Sequence, residues 1–209
     1  MSGLKAKQNT LKKIREALSH SVPLPFPQSE GGQSPFEGII DDEDISFAKQ
    51  FSVLGGKFAF CSNIIELKAE LVKLFTTRNW KNVFFETPGM NHTIPTDYHH
   101  YEDLASCEAA VTSCECLVAR TGSMVLSSLN GGRAASAYCP VHICIAFSNQ
   151  VMPDIKDAFS YLKSKYPSGL PSFITFASGP SRTADIEKTL VTGVHGPKEV
   201  FCFLVDTDQ

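Results

Sequence analysis

No apolar run in this 209-residue chain approaches the length that carries a helix across a bilayer. The first residues are Lys-rich and amphipathic and lack the apolar core of a secretory signal. From these two absences we expect a cytoplasmic protein. Basic residues are not in excess: the formal net charge is −3, which speaks against a nucleic-acid-binding surface. The seven cysteines contain no C-x-x-C-x-x-C run, so an iron–sulfur cluster on this chain is not expected. Cys114 and Cys116 could share a strand face, but no second pair completes a metal site. An odd number of cysteines in apolar, strand-like segments reads as reduced, buried thiols. His92, His99 and His100 lie in a polar loop, residues 87–103, at a spacing that matches no closed metal site. The sequence therefore calls for no metal and no cofactor.

What is present is ordinary for a globular protein: 43% hydrophobic and 20% charged residues, in a chain long enough for one domain with a sizeable core. Residues 1–20 read as an amphipathic helical arm, with Leu4, Leu11, Ile14 and Leu18 on one side. Residues 21–37 are rich in Pro, Gly and Ser and read as a linker. From residue 38 to 209 strands and helices alternate. Asp41–Leu54 is expected to be a helix, Phe58–Phe60 a strand, and the segment after Asn63 a helix. Asn63 and Glu66 resemble a capping box there, and Ile64, Leu67, Leu71, Leu74 and Phe75 form an apolar stripe. Val83–Phe85 follows as a strand. This β-α-β rhythm predicts a parallel sheet with helices on its faces, an α/β fold of three layers, α/β/α. Further on, Val141–Phe147 is predicted as a strand with His142 and Cys144 on one face. A histidine there reads as a core or edge residue rather than a ligand. Pro153 opens a helix carrying Ile155, Phe159, Leu162 and Tyr166.

Two stretches carry candidate chemistry. Residues 119–123 read Ala-Arg-Thr-Gly-Ser, with strands expected on either side at Leu117–Ala119 and Met124–Leu126. Thr121, Gly122 and Ser123 put two hydroxyls and a flexible backbone at a strand end, either as a phosphate or carboxylate cradle or as a tight polar hairpin. Residues 179–197 read GPSRTADIEKTLVTGVHGP, between a strand at Phe173–Phe176 and another at Val200–Val205. Here Ala184–Thr192 is expected to be a short helix, with Asp185 in its first turn and Gly193 past its end. A Gly-bearing turn feeding a helix N-terminus makes an anion site of Gly179, Ser181, Arg182 and Thr183. The alternative is that Ser181 and Thr183 only cap the helix while Arg182 is solvated. His195, flanked by Gly193 and Gly196, is either an acid–base group or a histidine that locks its loop.

GPSRTADIE followed by GVHGP, with Ala-x-Thr-Gly-Ser upstream, resembles the LUD domain, and most closely its bare-domain group, lactate utilisation protein C. The likeness spans roughly residues 40–209. It implies a fold of the NagB/RpiA/CoA-transferase-like superfamily. It also implies a site built from Thr121, Gly122, Ser123, Arg133, Gly179, Ser181, Arg182, Thr183 and Gly196, with His195 and Asp185 as catalytic candidates. Arg120 departs from the resemblance, since members of the family commonly carry Asp or Glu before the Thr. The implied function is that of a cluster-free component of a system oxidising L-lactate to pyruvate. Its partners would be an iron–sulfur LUD protein and a ferredoxin-like subunit, and its ligand a small anion. The alternative, by superfamily analogy, is a stand-alone enzyme or binding protein for phosphosugars or acyl-CoA. The last expectation is geometric: the His195 imidazole should lie near the Thr121–Ser123 turn and face the same cleft as Arg182.

Overall fold

The computed structural model describes residues 42–86, 104, 106–129, 134–184 and 190–207, with 9–13, 15, 16 and 19 of the arm. The chain divides into two units, residues 1–38 and 39–209. In the first, residues 9–13 and 15–16 are helical. The linker, the loop bearing His92, His99 and His100, and the site candidates Arg133 and Asp185 lie outside the described residues.

The second unit starts with helix α1 (Glu43–Val53), strand β1 (Lys57–Cys61), helix α2 (Ile64–Arg78) and strand β2 (Val83–Glu86). Helix α2 begins where its cap predicts: the Asn63 side chain accepts from Glu66 N at 2.9 Å. The Glu66 carboxylate reaches back one residue further than a capping box requires, accepting from Ser62 N and Ser62 Oγ. The expected stripe buries Leu67, Leu71 and Phe75. Then come β3 (Ala109–Ser113), β4 (Cys116–Val118), β5 (Ser123–Ser127), the short helix α3 (Ala135–Tyr138), β6 (Val141–Phe147) and β7 (Val151–Met152). Helix α4 (Ile155–Lys165), β8 (Ile174–Ala177), β9 (Arg182–Ala184), β10 (Leu190–Thr192) and β11 (Glu199–Val205) complete the chain.

Five strands pair in parallel in the order β1-β11-β6-β3-β2. Strand β6 is central, and all but the last of its residues are buried, as a strand covered on both faces must be. On one face Val141, Ile143 and Ile145 meet Leu67, Leu71 and Phe75 of α2. On the other, Cys144 and Ala146 meet Phe47 and Phe51 of α1 together with Leu117, Met124 and Leu126 of β4 and β5. This is an α/β fold with a parallel sheet flanked by helices. It has one layer beyond the three expected. The sheet β7-β4-β5-β8 lies between the parallel sheet and α4, whose Ala158 and Leu162 pack on its outer side against Cys116, Val118 and Val125.

Two expectations are corrected. At its described residues the segment Ala184–Thr192 is strand where a helix was expected: β9 and β10 pair antiparallel, with Thr183 opposite Val191 and Thr192 opposite Arg182. Thr183, Val191 and Thr192 are β-branched and fit a pleated ribbon. The cysteines are not all free thiols, since Cys107 and Cys139 form a disulfide, with Cα atoms 6.3 Å apart. They lie on segments that only the tertiary fold brings side by side.

Candidate functional site

The two halves of the 179–197 stretch run side by side rather than in helical sequence. Ser181 N donates to Pro197 O at 3.0 Å, Gly193 N to Ser181 O at 2.9 Å, and Ser181 Oγ to His195 O at 3.2 Å. Gly196, at φ 147°, lies so close that a Cβ there would stand 2.8 Å from Ser181 Cβ. Lys198 N donates to Pro140 O at 2.8 Å and ties this loop to the start of β6.

Against these strands and turns opens a cavity of about 350 Å³. Its polar lining comes from Ser136, His142, Thr175, Ser178, Ser181 and His195, and its apolar lining includes Phe173, Ala177, Pro180 and Val200. Among the described residues no carboxylate lines it. Such a wall of hydroxyls and imidazoles suits an oxygen-rich or anionic ligand. Gly179, Ser181, His195 and Gly196, all singled out from sequence, stand around it. His195 is exposed at its rim.

The Thr121–Ser123 turn reaches the cavity indirectly. Gly122 adopts φ 59° beneath α1, and Ser123 is buried. Thr121 Oγ1 and Ser123 Oγ are 2.8 Å apart, and Ser123 Oγ and Ser178 Oγ 2.6 Å. A chain of three hydroxyls thus ends at the cavity wall. Arg182 does not face the cleft it was expected to share with His195. Its side chain is exposed, and Nη2 donates to Leu54 O at 2.6 Å, joining β9 to the end of α1. Among the described residues Ser181 leads into strand β9, so it does not open a helix N-terminus that could cradle an anion. Thr183 lies in the β9–β10 ribbon and does not line the cavity. Arg120 pairs with Asp154 at 2.6 Å. Asp154 caps α4 through Ile155 N, and the Arg120 hydrogen bond holds the Asp154 carboxyl below its ordinary pKa.

His142 was read from sequence as a core or edge residue. It is 1% exposed and lines the cavity from the middle of the parallel sheet. Its Nε2 lies 2.8 Å from Thr112 Oγ1 of β3. Burial pushes its pKa down to about 4. The one signal in the sequence was a single imidazole in the otherwise apolar run VHICIAF, where burying a polar group requires a partner.

The structure defines an α/β protein with a polar cavity lined by β8, by the segments 178–181 and 195–197, and by His142 of the central strand of its parallel sheet. It belongs to the LUD domain family, whose profile matches residues 92–205. A lactate utilization protein C from Geobacillus sp. (strain WCH70) is 37% identical over 102 residues, 47% of this chain and 42% of the relative. A protein of the same name from Halalkalibacterium halodurans is 38% identical over 111 residues, 52% of this chain and 48% of the relative. The chain spans about half the length of these curated relatives. A crystal structure of a DUF162 family protein from Deinococcus radiodurans shares the fold, with a TM-score of 0.60 at 19% identity. That likeness covers 78% of this chain and 96% of the other.

Proposed function

We propose that the cavity binds a small anionic ligand and that the protein serves lactate utilisation as a cluster-free component. Its partners would be an iron–sulfur LUD protein and a ferredoxin-like subunit. The observation that carries the ligand reading is the convergence of Ser178, Ser181, His142 and His195 on one cavity without a carboxylate among the described residues of its wall. The role in lactate utilisation rests on the names of the relatives. His195 is the candidate acid–base group at the rim. Asp185 and Arg133 stand as candidates on the sequence motif alone, and Thr121 and Ser123 act through Ser178. Arg182 and Thr183 shape the ribbon rather than the wall. A melting screen with L-lactate, pyruvate, a sugar phosphate and a CoA ester tests the reading. A ligand at about a hundred times its Kd adds about 2.7 kcal/mol of stability, a readily measured rise in Tm. We expect that rise with lactate or pyruvate. A rise with the sugar phosphate or the CoA ester alone would replace this reading, and no rise with any of them would refute the anion site.

A further inference from the structure

The buried pair His142 and Thr112 has a determinable hydrogen-bond direction. Thr112 is fully buried, and His142 Nε2 is its side chain's one partner among the described residues. If the imidazole donated, the Thr112 hydroxyl proton would be sealed in the core with no acceptor, an arrangement that buried polar groups avoid. Thr112 therefore donates and Nε2 accepts. A neutral imidazole that accepts at Nε2 carries its proton on Nδ1. Nδ1 has no protein partner among the described residues, yet it is not among the sealed, unpartnered polar atoms. The small exposed part of the ring opens to the cavity that His142 lines.

We propose that His142 is a binding residue of this cavity, presenting a neutral Nδ1–H to the carbonyl or hydroxyl oxygen of a small 2-oxo- or 2-hydroxycarboxylic acid. This rests on the anionic-ligand reading above and names the atom that reads the ligand's second functional group. The low pKa of the ring keeps it uncharged through the neutral range, so it offers a dipole rather than a cation. A ligand carboxylate placed against it would pull a proton onto the ring, so the group it suits is an uncharged oxygen. Thr112 is a positioning residue that sets the tautomer.

Long-range ¹H–¹⁵N NMR of the ¹⁵N-labelled full chain reads the tautomer without any ligand. We expect His142 to show a protonated Nδ1 and a bare Nε2 at neutral pH. Pyruvate, added as the probe, should move the Nδ1–H signal together with the Ser178 and Ser181 amides. Thr112→Val should disturb the tautomer and weaken pyruvate binding about tenfold, the worth of one hydrogen bond, while Thr112→Ser retains both. A protonated Nε2 in the free protein overturns the proposal. So does an Nδ1 signal that stays fixed while the Ser181 and His195 amides shift, an outcome that leaves the anionic-ligand reading intact. If neither pyruvate nor L-lactate moves any of these signals, both fall.

Discussion

An imidazole in a parallel strand is held neutral by its surroundings, and at His142 that has a consequence for stability. The folded protein lowers its pKa from 6.5 to about 4, with burial as the cause. The unfolded chain therefore binds the proton more readily, and folding stability is full above about pH 6.5. It declines as the pH falls toward about 4, where the folded form protonates too. The midpoint of urea unfolding should drop across that window, and His142→Gln should flatten the drop. An identical pH profile in the variant would show that other groups carry it. Gly122 makes a second residue-scale case. At φ 59° it lets the 119–123 turn pass under α1, where a Cβ would sit 2.5 Å from Phe51 N and 2.7 Å from the Gln50 carbonyl carbon. Gly122→Ala should cost about 1–3 kcal/mol, as overpacking does. Equal urea midpoints for variant and parent would mean that α1 yields freely. The Thr-Gly-Ser motif was legible as a turn with hydroxyls. That its glycine serves helix packing, and that only Ser178 brings its hydroxyls to the cavity, depends on α1 and β8 from elsewhere in the chain.

Among the elements, α4 is held at both ends by groups from the β4–β5 hairpin. At its start Asp154 accepts from Ile155 N and from Arg120. Near its end Lys165 and Tyr166 donate to Glu115, which is fully buried and also accepts from Ser127 Oγ. A carboxylate sealed from water is tolerable only with such a set of donors. Glu115→Ala strands those donors, and we expect a loss on the order of 2 kcal/mol. That is less than breaking a sealed ion pair costs, because Lys165 still reaches solvent. Thermal unfolding of the variant measures it, and an unchanged Tm would show the network to be incidental. Helix α2 was legible because its cap and stripe are local, within one turn of each other in sequence. The ribbon β9–β10 was not, because its strands are too short to show a period and are stabilised by pairing with each other.

For the whole molecule, the cysteines separate local from global information. Burial, with Glu66 and Glu70 nearby, pushes Cys61 up to about 11, and burial, with Cys114 and Glu115 nearby, pushes Cys116 to about 12. All five free thiols are buried, so the folded protein should resist alkylation at neutral pH. Unfolded without reductant it should titrate five thiols, and seven with reductant. Seven in both conditions would rule out the Cys107–Cys139 bond. Composition could say that these residues are buried. It could not pair Cys107 with Cys139, 32 residues apart, because that pairing depends on α3 lying beside β3. The same division runs through the molecule. From sequence came the β-α-β rhythm, the capped and striped α2, a strand at 141–147 and the turns around Gly122 and Gly179. Each of these follows from residues within a few positions of one another, through side-chain periodicity and backbone preference. The tertiary structure alone decided the second sheet, the turning of Arg182 toward Leu54, and the meeting of His142 with Ser178, Ser181 and His195. Those depend on strand order, which is set by how distant apolar faces are buried together, and no local pattern encodes which strands become neighbours.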